Sequence, residues 1–520
     1  MVEFLKRTIM RNLNKVLILF LVLVATSVNQ SCKKSLDLNN PNVIPTEDYF
    51  TTADELVAGT NAIYAAWHGT ALVAREWFFI HDLRSDDVVT GGSQLEAPRN
   101  QILIGVVDPA NPVMNSVWNT LYTVIHRANT VLDNAANVTD NPALRDRCVG
   151  EAKFLRAWAY FELVSQWGSA PLYLTAVKTP ADYQPKASIE DLYAAVIKDL
   201  EEAAAALPGK SGTDLGRATN AAAYGMLGRV LMQKGDYAAA RTALLKIPTS
   251  GANGYSLNNR FLDNFEEEGE FSNESIFEVI YSDKGDNNFN WGSPSGDGAS
   301  APQTTIRNQE YNPIGWRNLI PSNKALNEFE STETGASKTD PRYSFSFYQT
   351  GDVFNNGQSK LVDADQNGNS SVVHGKTIKV GFRKFMLIYK EDKAFAAYHP
   401  GSNNQRILRY AEVLLMLAEC EMELGNNPAA VAYLNQIRAR PSVNMPLYPT
   451  AQFPVGSKAD VLKALMHEKM VEMVNEEVRN IDILRWRRKG YFATEPLSWY
   501  TPDKEFLPTP QSEIDNNPNL

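Results

Sequence analysis

One spacing of small residues occurs twice and constrains the fold more than any other feature of the chain. Tyr224, Leu227 and Gly228 are followed by Gly235, Ala240, Leu244 and Ile247, and Ala418 is followed by Gly425, Ala430, Leu434 and Ile437. From Gly228 or Ala418 onward the offsets are identical: +7, +12, +16 and +19. Such a pattern belongs to a helix–turn–helix unit, with small residues where two helices cross closely and a Gly ending the first helix at positive φ. The copies lie 190 residues apart rather than in tandem. A helical scaffold interrupted by a long insertion is the expectation.

The rest of the chain fits that frame. Thr52-x-x-Glu55 makes a capping box ahead of Leu56, Ile63 and Trp67, and Ser188 with Asp191 does the same before Leu192, Val196, Ile197 and Leu200. Glu151 to Trp167 carries Phe154, Leu155, Trp158, Phe161 and Leu163 before Gly168 and Pro171 stop it. From 251 to 402 the texture changes to Gly/Asn/Ser/Asp loops with short strand-like runs. Helical patterns return at Arg406 and continue to about Arg488. The expected fold class is mostly α: a tetratricopeptide-like helical scaffold with a large loop-rich insertion containing short strands. Its expected divisions are an N-terminal helical scaffold at 48–250, a loop-rich ligand-binding region at 251–402 and a C-terminal helical segment at 403–520.

Residues 1–31 read as a signal peptide. Lys6, Arg7, Arg11 and Lys15 precede an apolar run from Val16 to Ala25. Ten residues rise about 15 Å as a helix, half of a hydrocarbon core of about 30 Å, so the run is too short to span a membrane. Ser31-Cys32 follows, and a small residue before the only cysteine of this region suggests acylation of Cys32, with 32–47 as a tether. Removing four basic residues and Glu3 with the leader takes the net charge from −10 to −13. Anionic lipid would repel such a body, so the expected membrane attachment is through the lipid anchor only.

Composition and motifs exclude several functions. The acidic balance disfavours nucleic acid, which is gripped by clustered Lys and Arg. Three cysteines in 520 residues are too few for a disulfide framework. His467-Glu468 lacks the second histidine of a zinc protease motif. Gly375-Lys376-Thr377 has Ser370 where a phosphate loop needs its first Gly, and Gly292-Ser-Pro-Ser-Gly296 has Pro where a hydrolase elbow needs its nucleophile. Asp363-x-Asp365-x-Asn367-Gly368 matches the first half of a calcium loop, but His374 stands at the twelfth position where Glu is required. A solvated turn is the expectation there. No catalytic residue, metal or cofactor is expected.

Five motifs, in order, carry a resemblance. They are Ser31-Cys32-Lys33-Lys34; Glu151 to Val164 with Trp167-Gly168 and Pro171-Leu172; Arg409 to Glu419 with Leu434-Asn-Gln-Ile-Arg438; Glu468, Glu472, Glu476, Arg479, Asp482 and Arg485-Trp486; and Phe506 to Pro510 with Glu513 and Asn517 to Leu520. Together they resemble the SusD/RagB family of outer-membrane nutrient-binding lipoproteins. Glu477 departs from that family's usual Gly, and Lys469 from its Arg. The resemblance implies a non-catalytic, surface-exposed lipoprotein that binds oligomers, commonly glycans and sometimes peptides. It further implies delivery of them to a TonB-dependent outer-membrane barrel. A lipid-anchored hydrolase is the alternative. Glu468, Arg479 and Asp482 are expected to pair across packed helices. For the ligand site, Trp291 and Trp316 in the loop-rich block are expected as stacking platforms, with Arg84, Asp86 and Asp87 as polar partners.

Overall fold

The computed structural model describes residues 49–282, 304–394 and 401–520, with isolated positions among residues 1–13. The chain divides into two units, 1–51 and 52–520, and the second is described here. It is mostly helical with a few short strands.

The helix α1 (Ala53–His68) begins at the expected capping box, where Thr52 and Glu55 cap each other's backbone N–H. The short helix α2 (Glu76–Leu83) follows, and then the long pair α3 (Pro112–Asn134) and α4 (Pro142–Trp167). The helix α4 starts nine residues before the expected Glu151, because Asn141 accepts from the Leu144 N–H and Pro142 occupies the first turn. Its last turn ends at Gly168, as expected. Helix α5 (Ile189–Ala206) is capped by Ser188, whose hydroxyl accepts from the Asp191 N–H. The helices α1, α3, α4 and α5 pack in sequence, and α5 leans on α6 (Asn220–Lys234).

Both halves of the repeat fold alike. Helix α6 ends at Gly235 with φ 81° and turns into α7 (Tyr237–Leu244); α8 (Tyr410–Glu423) reaches Gly425 with φ 84° and turns into α9 (Asn427–Arg438). At Gly228 an added Cβ would meet Leu244 Cδ2 at 2.5 Å, so a small residue is required where α6 and α7 cross. The equivalent Ala418, Ala430, Leu434 and Ile437 are buried in one core cluster with Val461, Ala464 and Leu465 of α10 (Lys458–Met473). Since α7 packs on α8, the two copies form one continuous scaffold although the insertion separates them in sequence.

The strands lie mostly in the insertion. Among the described residues each sheet is a two-stranded antiparallel pair. β1 (Val88–Thr90) pairs with β3 (Leu319–Pro321), β2 (Ser275–Val279) with β6 (Gln405–Arg409), and β4 (Phe347–Gln349) with β5 (Val380–Phe382). The returning helical pattern therefore starts at Tyr410 rather than Arg406. Residues 405–409 are buried on both faces and hydrogen-bond to β2, a pairing that helical spacing cannot reveal. Trp67 stacks on Phe277 of β2 at 5.2 Å and meets Trp158 edge-on at 5.3 Å, so the insertion shares a core with α1 and α4.

The acidic and basic residues of the C-terminal helices are buried and paired. Glu472 accepts from Arg342 (3.1 Å), Arg409 (2.8 Å) and Arg440 (2.8 Å). Glu468 pairs with Arg342 and Arg438, and Asp482 pairs with Lys469 and with Arg485 of its own helix α11 (Arg479–Arg488). Glu468 and Asp482 are paired as expected, Arg479 pairs instead with Asp86 of the turn after α2, and Arg342 ties the insertion to the scaffold. Glu477 adopts φ 57° despite its side chain, and its carboxylate meets Arg307 at 2.5 Å. The bend expected of Gly is made by Glu.

Candidate functional site: a loop junction around Trp316

Arg84, Asp86 and Asp87 are not presented to a ligand. Asp86 receives both Nε (2.6 Å) and Nη2 (2.9 Å) of Arg479 and also the Lys324 ammonium. Burial opposes its ionisation, but these cations outweigh burial and hold the carboxyl at about 2. Asp87 accepts from the Ser85 hydroxyl and lies 3.5 Å from the Asn475 N–H. Its burial pushes its pKa up. Arg84 donates to the Glu505 carbonyl at 2.6 Å and its guanidinium lies over the Trp499 ring. Asp86 and Asp87 are 8% and 2% exposed. All three residues are corrected from ligand contacts to internal pairings, because their polar atoms face α11 and the C-terminal segment.

Trp316 has a different setting. Its backbone N–H donates to the Gln309 carbonyl at 2.9 Å, which closes a turn, and the next residue, Arg317, has φ 49°. The buried Arg317 guanidinium donates to the carbonyls of Asn367, Asn369 (3.2 Å) and Val380 (2.9 Å). Gly91 donates to the Asn318 carbonyl at 3.0 Å, and its own carbonyl accepts from Asn369 N–H at 2.7 Å. A Cβ on Gly91 would lie 1.7 Å from the Arg317 oxygen, and one on Gly368 would lie 2.0 Å from the Gly91 oxygen. Glycine at both positions thus lets residues 90–94, 316–318 and 367–369 meet backbone to backbone. The junction carries the half-buried Trp316 and the exposed side chains of Ser93, Gln94, Asn367 and Asn369. An indole on a junction that also exposes amides suits a ligand with both an apolar face and hydroxyls. Tyr311, five residues before Trp316, is buried and donates to Asp82 at 2.8 Å. Trp291 and Cys32 lie outside the described residues.

The chain running on from Asn369 forms a hairpin over 371–378, pinned where Val372 and His374 N–H groups donate to Asn323 and Asn327 at 2.8 Å. One side of this hairpin walls a hollow of about 270 Å³ with Phe329, Tyr343, Gln349, His374 and Lys376. Sequence spacing gave no sign of it, since its two aromatic residues come from helices too short to show a period: Phe329 caps Asn323–Glu328 and Tyr343 lies in Arg342–Ser346. In the calcium-like stretch, Asp363 accepts from Thr350 and Asp365 pairs with Lys393. A lysine ammonium therefore answers the charge of this turn. No group of His, Cys, Asp and Glu among the described residues could hold a metal ion.

Two like helix–turn–helix units joined into one helical scaffold, carrying a loop-rich insertion, define the class as a tetratricopeptide-like helical fold. Comparison narrows it. Residues 273–500 match the SusD family, and residues 92–232 match a family described as starch-binding, associating with outer membrane. SusD-like protein P38 of Formosa agariphila is 24% identical to this chain, over 98% of it and 99% of that protein. Among solved structures, a SusD superfamily protein from Bacteroides vulgatus superposes with a TM-score of 0.74 at 22% identity, covering 91% of this chain and 98% of that one. Surface glycan-binding protein A from Bacteroides thetaiotaomicron, in complex with laminarihexaose, gives 0.70 at 23% identity over 90% and 98%. The chain thus has the SusD-like fold, and its segment 273–500 is similar to the SusD family.

Proposed function

We propose that this protein is a carbohydrate-binding lipoprotein of the outer membrane that captures neutral oligosaccharides at the Trp316 junction and hands them to a TonB-dependent barrel. Binding without catalysis is the function. The observation that carries the reading is the junction itself: half-buried Trp316 follows a turn that buried Arg317 ties to the loop at 367–369, and the exposed side chains of the joined loops are amides and a hydroxyl. The family supports it, through the starch-binding description of the matching segment and the laminarihexaose complex of a protein with the same fold. Stacking on the face of a sugar ring, with amides fixing hydroxyls, is the chemistry those groups offer. Trp291 is proposed as a second platform.

No helix among the described residues is long and apolar enough to cross a membrane. Acylation of Cys32 is proposed as the anchor. Cys148 and Cys420 are buried, where burial pushes both thiols up. Fatty-acid labelling is expected to disappear in Cys32→Ala and to persist in Cys148→Ala. The barrel partner is tested by recovering tagged protein from gently solubilised membranes; a stoichiometric barrel is expected, and monomer alone would count against delivery. Electrophoresis through gels containing starch, laminarin or other polysaccharides tests the binding function. Retardation without release of smaller products is expected. Release of products would favour the hydrolase reading, and retention only by peptides would favour a peptide-binding member of the family.

A further inference from the structure

The helical scaffold holds a second, unassigned pocket made from three separated segments. Tyr122 and Ile125 come from α3, Tyr173, Val177 and Tyr183 from the chain between α4 and α5, and Glu513 from the C-terminal segment. None belongs to the Trp316 junction. The cavity is about 210 Å³, below the roughly 300–1,000 Å³ typical of drug-sized ligands. It suits a single side chain or a small organic group.

Its walls are fixed. The rings of Tyr122 and Tyr173 have centroids 5.8 Å apart and planes at 78°, so they make two sides of a corner. The Tyr122 hydroxyl donates to the Pro171 carbonyl at 2.8 Å, and Tyr173 O–H accepts from the Gln184 N–H at 3.4 Å. The Tyr183 carbonyl is tied to Asn519 at 2.6 Å. Glu513 is oriented from both sides: Trp118 Nε1 donates to Oε2 at 3.3 Å, and Asn517 Nδ2 to Oε1 at 3.1 Å. Asn517 also donates to the Gln184 carbonyl at 2.9 Å, which locks the C-terminal segment onto the pocket.

Both hydrogen bonds to Glu513 come from uncharged groups, so they orient its carboxylate without cancelling its charge. A carboxylate accepts at about four lone-pair sites, which leaves capacity for a ligand. Its field reaches the rings: burial first, and then the charge of Glu513 among the nearby groups, raises the phenols of Tyr122 and Tyr173. No Lys or Arg lines the pocket, and the protein carries a net charge of −10. His126 on the lining is exposed, and the amides of Asn129 and Asn517 already donate to carbonyls and to Glu513. A cation finds negative aromatic faces and a carboxylate, the combination that recognises ammonium groups.

We propose that the Tyr122–Tyr173–Tyr183–Glu513 pocket is a binding site for an alkylammonium group, as carried by a free organic amine or by a lysine side chain. Its occupant differs in charge from the neutral ligand proposed at Trp316, so the two sites can fail separately.

The test follows the Trp118 indole N–H by NMR in the full chain, assigned with Trp118→Phe, because that proton sits on Glu513. Tetramethylammonium and choline are titrated as probes, with 3,3-dimethylbutanol as the uncharged isostere of choline and neutral glucose oligomers as a second control. N-acetyl-lysine amide and a lysine-containing peptide then distinguish a free amine from a side chain. Both cations are expected to shift the Trp118 signal, and the isostere to leave it unmoved. Glu513→Gln and Tyr173→Ala, each shown to melt cooperatively, are expected to weaken cation binding about tenfold, about 1.4 kcal/mol. Trp316→Ala is expected to leave it unchanged. Equal binding of the isostere, an undiminished response in Glu513→Gln, a response to glucose oligomers but not to cations, or no response to any cation would each overturn the proposal.

Discussion

Glu472 meets three arginines, and the local geometry of the C-terminal half turns on it. Burial opposes its ionisation, but Arg440, Arg409 and Arg342 outweigh burial and hold the carboxyl well below the usual range. Glu472→Ala would leave those guanidinium groups short of a buried counter-charge, and a broken buried pair costs about 3–5 kcal/mol. A fall of that size in unfolding free energy, read from denaturant midpoints at unchanged slope, is the expected result. The sequence marked Glu468, Arg479 and Asp482 as pairing residues but not Glu472, whose three partners lie outside α10 and α11. Asp86 and Asp87 were not legible. A sequence shows two adjacent carboxylates near a turn, as a ligand site would, but their burial depends on Arg479, placed 393 residues later. Trp316 reads as a platform from its polar neighbours, whereas Arg317, which positions it, reads only as another polar group.

At the scale of elements, the repeat was the most legible feature because it is dictated by contact distance. Gly228→Ala would drive a methyl to 2.5 Å from the buried Leu244 side chain, and overpacking of this kind costs about 1–3 kcal/mol. The turn glycine behaves differently: nothing lies within 4 Å of a Cβ at Gly425, but φ is 84°, so Gly425→Ala is expected to cost about 1 kcal/mol through backbone conformation alone. Thermal melts of the two variants separate these causes, because enlarging Gly228 further to Val should deepen the first loss. Gly425→Asn should lose less than Gly425→Ala, since Asn tolerates the left-handed region. Elements defined by distant pairing escaped the sequence. The strand β6 reads as helix until β2, about 130 residues earlier, supplies its hydrogen bonds, and α4 reads short because its first turns carry fewer large apolar residues.

Across the whole molecule, the insertion is held to the scaffold by charge as well as by packing, and one link depends on pH above neutrality. His467 of α10 is buried against Glu328 (2.9 Å) and Glu330 (3.6 Å) of the insertion. Burial disfavours its charge, yet its hydrogen bond to Glu328 and the neighbouring Glu330 carboxylate raise its pKa to about 9. Because the folded pKa lies above the unfolded value of about 6.5, this stabilisation is complete below pH 6.5 and is lost as pH rises through 9. Its upper limit is about 3 kcal/mol. Wild-type stability is therefore expected to fall between those limits, and His467→Gln to flatten that part of the profile while lowering stability at pH 6. An unchanged slope in the variant would place the pH dependence elsewhere.

The capture of neutral oligosaccharides at the Trp316 junction is tested most directly by calorimetry. The full chain and Trp316→Ala, matched for thermal stability, are titrated with the oligosaccharide that gel retardation selects. Loss of an aromatic stacking contact corresponds to about 1–3 kcal/mol, so a weakening of at least about fivefold is expected in the variant, with Asp86→Asn unaffected once its stability is matched. Retention of full affinity in Trp316→Ala, with loss in Asp86→Asn, would contradict the assignment and return the site to the acidic turn.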